Sequence, residues 1–245
     1  MRGAALVSIA LVGCNAVSGL SDFQILEGTG GAQSATSTTS TGGAVGVGGS
    51  GGSAGNPNCP FDDFEDGTID PTKWSIEVVT GAYFTESGGV LTLDVVTSLD
   101  LPRYTRMLYV QPVSLETCGM TLQVLQNSIG DEFGEEFYFS AILDAQNSVG
   151  FMVRDNYLSA GKLEGGVLTV KSVSYAPQAY GWWRFRAQDA TVSFQTSPDG
   201  MTWTEFDLET VNFPLTTLTL AIAGGVPGTS MATGGRATID NFNTH

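Results

Sequence analysis

The sequence predicts an all-β domain, an antiparallel two-sheet sandwich of jelly-roll size, that follows a segment unable to form a core. Three observations predict it. From Cys59 onward, short runs of alternating apolar and polar residues recur, separated by turn-forming glycine, asparagine and aspartate. No window sustains the 3.6-residue period of an amphipathic helix, so helix is expected to be nearly absent. Before Cys59 the composition changes: from about residue 27 to 58 the chain is glycine, serine, threonine and alanine, with almost no charge and no large side chain. Such a segment cannot offset its own ordering entropy.

Taken in order, the chain opens with one arginine and an apolar run, Ala4-Ala5-Leu6-Val7-Ser8-Ile9-Ala10-Leu11. The run is shorter than the roughly 20 apolar residues needed to span a bilayer, and its charged start and small-residue end are those of a secretion signal. Leu11-Val12-Gly13-Cys14 resembles the bacterial lipobox. That resemblance implies a leader over 1–13, cleavage before Cys14 and acylation of Cys14, with acyl chains as a membrane anchor. Asn15 is not the aspartate associated with retention in the inner membrane, so the expected address is the cell envelope, outer rather than inner membrane. Residues 14–58 are then the lipidated cysteine and a flexible linker, reaching on the order of 30 Å as a random coil. Gly46, Gly48 and Gly51 spell G-x-G-x-x-G, but with no strand before and no helix after them the phosphate-cradle reading fails. With Cys14 lipidated, Cys59 and Cys118 are the remaining thiols of an exported protein, and they are expected to form a disulfide.

Residues 59–245 carry the strand signals: Trp74 to Val79, Val90 to Val96, Thr105 to Val110, Met120 to Leu125, Glu136 to Leu143, Val149 to Arg154, Val167 to Val173, Trp182 to Gln188, Thr191 to Ser197, Thr202 to Phe206, Thr217 to Ala223 and Arg236 to Asn241. The most informative stretch is Tyr180 to Phe206, where two alternating runs precede Ser197-Pro198-Asp199-Gly200 and a third follows it. Pro198 presets φ, Asp199 can bond back to its own backbone, and Gly200 accepts a left-handed conformation. Trp74, Trp203 and Phe64 are expected in the core.

An aromatic-Trp-Arg-aromatic-Arg strand followed by Ser-Pro-Asp-Gly and Trp203 resembles the concanavalin A-like lectin/glucanase superfamily, and within it the bacterial laminin-G-like domains. Phe61 to Trp74 is similar to the opening strand and first loop of such domains, and Ala237 to Phe242 to their closing strand. The resemblance implies a jelly roll and a surface ligand, glycan above all. It also implies a structural calcium between the first and last strands, for which Asp63 and Asp240 fall at matching places.

Composition bounds the function. The chain has 245 residues, 42% hydrophobic and 14% charged, enough to bury a core, and its net charge of -15 with a pI near 4.1 excludes nucleic acid as a partner. The one histidine is His245, which removes Ser-His-Asp and Cys-His catalysis and the usual histidine-bearing zinc sites. Catalysis would need carboxylates. The densest acidic cluster is Asp131-Glu132-Phe133-Gly134-Glu135-Glu136. Retaining glucanases of the superfamily use Glu-x-Asp-x-Glu on one strand face, whereas the same-face set here is Glu132, Gly134 and Glu136. The cluster therefore reads as a solvated loop and strand entry. Trp182, Arg184 and Arg186 share a strand face, opposite Trp183 and Phe185. They read either as a sugar-stacking and hydroxyl-binding set or as a cross-strand ladder of arginine on tryptophan. Tyr157 and Tyr180 are candidate rim contacts. The expectation is a lipid-anchored, non-catalytic β-sandwich without a cofactor beyond calcium, binding glycan or another cell-surface ligand. The alternatives are a divergent glycoside hydrolase of the same superfamily and a structural or adhesion lipoprotein.

Overall fold

The computed structural model describes residues 59–78, 81–96, 103–130, 134–226 and 234–243. The leader, Cys14, the linker, Asp131, Glu132 and His245 lie outside the described residues. Within them there is no α-helix, and none is long and apolar enough to cross a membrane.

Fourteen strands, numbered along the chain, form two antiparallel sheets of seven. The first sheet runs β1 (Trp74–Val78), β4 (Arg103–Tyr109), β13 (Thr219–Val226), β6 (Glu136–Asp144), β7 (Asn147–Arg154), β8 (Tyr157–Glu164) and β9 (Val167–Ser174). The second runs β12 (Thr204–Thr210), β11 (Thr191–Ser197), β10 (Trp182–Gln188), β5 (Met120–Asn127), β14 (Arg236–Asp240), β3 (Val90–Val95) and β2 (Ala82–Ser87). The sequence predicts all of these except β2 and β8. Both missed strands are short of the β-branched residues that mark a strand. In β8, Ser159, Ala160 and Gly161 blur the alternation, and the β7–β8 turn is Asp155-Asn156 without a glycine. Both residues hold positive φ, 51° and 64°, as a two-residue hairpin turn requires.

The core lies between the sheets and is largely aromatic. Trp183 and Phe185 of β10 point inward and meet Phe137, Phe139 and Phe151 from β6 and β7, with Phe151 stacked on Trp183 at 5.5 Å and Phe139 against Phe185 at 5.0 Å. Each such pair contributes about 0.5–1.5 kcal/mol beyond the area it buries. Trp74, buried as predicted, donates from its indole nitrogen to Asp62 Oδ2 at 2.7 Å, and the same carboxylate pairs with Lys73 at 3.3 Å. The chain ends are joined close by, where Asp62 bridges Phe242 through the backbone. Cys59 and Cys118 form the expected disulfide, tying the first described residue to the strand that begins at Met120. Lysines close the open side of the sandwich. Lys162 of β8 donates to the Thr210 carbonyl and pairs with Glu164, while Lys171 of β9 donates to the Phe206 carbonyl at 2.5 Å.

The Ser197-Pro198-Asp199-Gly200 turn forms as its residues dictate. Ser197 Oγ accepts from the amides of Asp199 and Gly200, Asp199 Oδ1 accepts from those of Met201 and Thr202, and Gly200 has φ +74°.

Candidate functional site

Because side chains alternate along each strand, the pairing register fixes which residues stand side by side on the outer face of the first sheet. Four crosswise rows result. The first places Tyr104, Gly225, Glu136, Arg154 and Tyr157 in line across β4, β13, β6, β7 and β8. The second places Arg106, Ala223, Tyr138, Met152, Ser159 and Ser172. The third is Leu108, Ala221, Ser140, Gly150, Gly161 and Val170, and the fourth is Thr219, Ile142, Ser148, Leu163 and Leu168.

In the third row small residues, Ala221, Ser140, Gly150 and Gly161, lie between Leu108 and Val170, and this face carries a groove lined by Tyr104, Arg106, Tyr138, Ser140, Gly150, Leu168 and Val170 among others. The glycines are required by the close approach of neighbouring strands. A Cβ on Gly150 would lie 2.4 Å from the Phe139 carbonyl oxygen, and one on Gly161 would lie 2.1 Å from that of Thr169.

Chemistry concentrates in the first two rows. Glu136 is only 2% exposed. It accepts from the Tyr138 hydroxyl at 2.5 Å and pairs with Arg154 Nη1 at 2.8 Å, and Arg154 Nε lies 3.4 Å from Asp155. Burial raises the Glu136 carboxyl above its ordinary value, and the nearby Asp155 charge adds to the rise. The Tyr138 hydrogen bond and Arg154 oppose it without cancelling it. Tyr138 is pushed well up by burial and by the Glu136 charge, and Tyr104, also buried, is pushed up for the same two reasons. All three groups are therefore held toward their protonated forms. Glu135, its neighbour in sequence, turns the other way and accepts from the amides of Gly130 and Gly234, fastening two loops at the groove's end. The acidic cluster was expected to be solvated; its described glutamates are buried instead, because one caps loop amides and the other finds tyrosine and arginine partners.

The predicted site residues are not all brought together. Tyr157, 51% exposed, stands in the first row beside Arg154, at the groove's end. Trp182, Arg184 and Arg186 lie on the outer face of the other sheet. Trp182 is 7% exposed, with Gly200 pressed against its ring. Arg184 lies 3.9 Å over the ring of Trp203, which is half-buried and not in the core as expected, and donates twice to Gln195 Oε1 at 2.9 and 2.6 Å. This is the arginine-on-tryptophan arrangement, with Trp203 as the platform. Tyr180 packs edge-on against Phe206, and its carbonyl accepts the Trp183 indole N–H at 2.8 Å.

Asp63 and Glu65 lie near enough to Asp240 to add to the rise that burial imposes on its carboxyl. Asp63 accepts from the Glu65 amide and Asp240 from the Asn241 amide. Among the described residues no three acidic, cysteine or histidine side chains are gathered around a common point.

Sequence reasoning missed Tyr104, Tyr138, Arg154 and Asp155. A signal was present in Glu136-x-Tyr138-x-Ser140, a polar period-two set opening an otherwise apolar strand.

No protein-family model matches the chain, and no curated protein matches it in sequence. Solved structures do match in fold. A prokaryotic β-1,3-1,4-glucanase (lichenase) from a mouse hindgut metagenome superposes with a TM-score of 0.55 at 8% identity, covering 74% of this chain and 97% of that one. The β-glucanase of Bacillus licheniformis gives 0.56 at 11% identity, covering 74% and 96%. A laminarinase from a Flavobacterium species gives 0.56 at 8% identity, with the same coverage.

These neighbours correct the expectation that the domain is not an enzyme. Several solved structures that share its architecture are glucanases by name, and the acidic cluster expected to be a solvated strand entry is buried at Glu136, while Gly134 still stands where the middle acid of the glucanase pattern would be. The described domain, two seven-stranded antiparallel sheets with a groove across one of them, has the concanavalin A-like jelly-roll fold of the glucanases.

Proposed function

We propose that the domain acts on carbohydrate as a divergent glycoside hydrolase, held at the cell envelope by acylated Cys14 and its linker. One observation carries the reading: a buried carboxyl, Glu136, held toward its protonated form, stands on the groove face of a jelly roll whose structural neighbours cleave β-glucans. A general acid for glycoside cleavage needs this property, since it must still hold a proton near neutral pH to give to the departing oxygen.

In this reading Glu136 donates the proton, and Tyr138 and Arg154 fix the direction of its oxygens. Such chemistry takes a second carboxylate. Asp155, the carboxylate whose charge reaches Glu136 and which shares Arg154 with it, fills that role. The two groups differ in environment: Glu136 is buried, while Asp155 is partly exposed at a turn.

The test is release of reducing ends from laminarin and from mixed-linkage β-glucan. Glu136→Gln, which keeps the shape and removes the proton, is expected to lower the rate by about 10²- to 10⁴-fold with the circular dichroism spectrum unchanged. Full activity in the folded variant would remove Glu136 from the chemistry.

A further inference from the structure

The groove changes character along its strands. At one end the lining is Tyr104, Arg106 and Tyr138, and Glu136, Arg154 and Tyr157 stand in the row of Tyr104 just beyond it. Six residues along β6, about 20 Å at the rise of a strand, the lining becomes Ile142, Leu163, Leu168 and Val170. No aromatic ring and no charged side chain stands in these two far rows, whose polar side chains are the hydroxyls of Ser140 and Ser148 at the centre and of Ser75 and Thr219 at the β1 and β13 side. The Lys162 side chain that also lines the groove is drawn to Glu164 and the Thr210 carbonyl. Leu168 is 41% exposed and Val170 39%.

An unsubstituted sugar suits the first end and not the second. Its hydroxyls need hydrogen-bond partners once desolvated, and its apolar faces are met best by aromatic rings. Against an aliphatic wall those hydroxyls would be stranded. A short acyl ester on a sugar oxygen suits the far end, because it replaces a hydroxyl donor with a methyl or methylene surface that aliphatic side chains can bury.

We propose that the domain prefers O-acylated glycan, an oligosaccharide that runs along the strands from the Glu136 rows, with the acyl substituent of a sugar unit further along the groove lying against Ile142, Leu163, Leu168 and Val170. This rests on the glycan reading above and adds the substrate class to it. Continuity of the apolar wall with the Glu136 groove favours a substituent of the same ligand over a second copy of the chain. The wall's outer strand, β9, also carries Lys171 at its middle, a charge that disfavours edge-to-edge pairing.

The test compares laminari-oligosaccharides of one length, plain and chemically O-acetylated, by calorimetric binding to the Glu136→Gln protein. The acetylated form is expected to bind at least tenfold more tightly. Leu168→Asn combined with Val170→Asn is expected to bring the ratio to about one. Val167→Asn, on the same strand but outside the groove lining, should leave the ratio unchanged. Equal binding of both forms overturns the acyl preference while hydrolysis by wild type still supports the glycan reading. No binding of either form, with no hydrolysis, overturns both. A concentration-dependent dimer that the Leu168 and Val170 changes dissociate would also overturn the preference, giving the wall to a second copy.

Discussion

A carboxyl buried as deeply as Glu136 costs stability whenever it is charged, and its three neighbours decide how much of that cost remains. Tyr138 and Arg154 favour the anion, yet burial and Asp155 outweigh them, so the folded-state pKa lies above the unfolded one. The sign of the pH dependence follows. The folded protein binds the proton more tightly, so this group's contribution is fully present below the ordinary glutamate pKa and is lost as pH rises through the raised, folded value. Thermal melts across that weakly acidic window should show stability falling with rising pH, and Glu136→Gln should flatten that part of the profile. If wild type and variant have parallel profiles, Glu136 is not a buried, proton-retaining acid. At this scale the sequence was least legible. The glutamate was visible, but its burial depends on partners at positions 138 and 154, and the second of these comes from another strand.

At the scale of the element, the groove depends on glycines that let neighbouring strands approach. Gly150 faces Ser140 on one side and Gly161 on the other, at the centre of the sheet. A Cβ there would meet backbone, with the Phe139 carbonyl oxygen at 2.4 Å and Ser140 Cα at 2.6 Å, so no rotamer change relieves it. Gly150→Ala should destabilise the domain by about 1–3 kcal/mol, the usual cost of overpacking, measured by denaturant unfolding. An unchanged midpoint would mean the strands accommodate the methyl freely. The alternation of core residues made most of the strands readable, and Ser-Pro-Asp-Gly made its turn readable, because both signals are local. β8 was not readable: serine, alanine and glycine at its centre carry little hydrophobic contrast, and they are there because the groove needs small residues. The features that hid the strand are those that shape the site.

For the molecule as a whole, the aromatic core holds the sheets together and the Cys59–Cys118 disulfide fastens the start of the domain to the second sheet. The bond closes a separation of 59 residues, for which chain-entropy reasoning gives about 4 kcal/mol. Reduction should lower the melting temperature of the oxidised protein, and denatured, unreduced protein should show no titratable thiol from this pair; two thiols would refute the bridge. The two-sheet architecture was legible because outward and inward residues alternate in strand after strand. Which outer face carries the groove was not, since Trp182, Arg184 and Arg186 gave a stronger sequence signal than any residue of the groove. Trp182 and Arg184 are engaged in covering and bracing their own sheet.

The central claim is that ligand lies across the sheet bearing Glu136, not on the face bearing Arg184. Crystals of the Glu136→Gln protein grown with a laminarin oligosaccharide test it directly. Sugar density between Tyr104 and Tyr157, within hydrogen-bonding distance of residue 136, is the predicted result. Sugar seated on Arg184 and Trp203, with the groove holding none, would contradict the account.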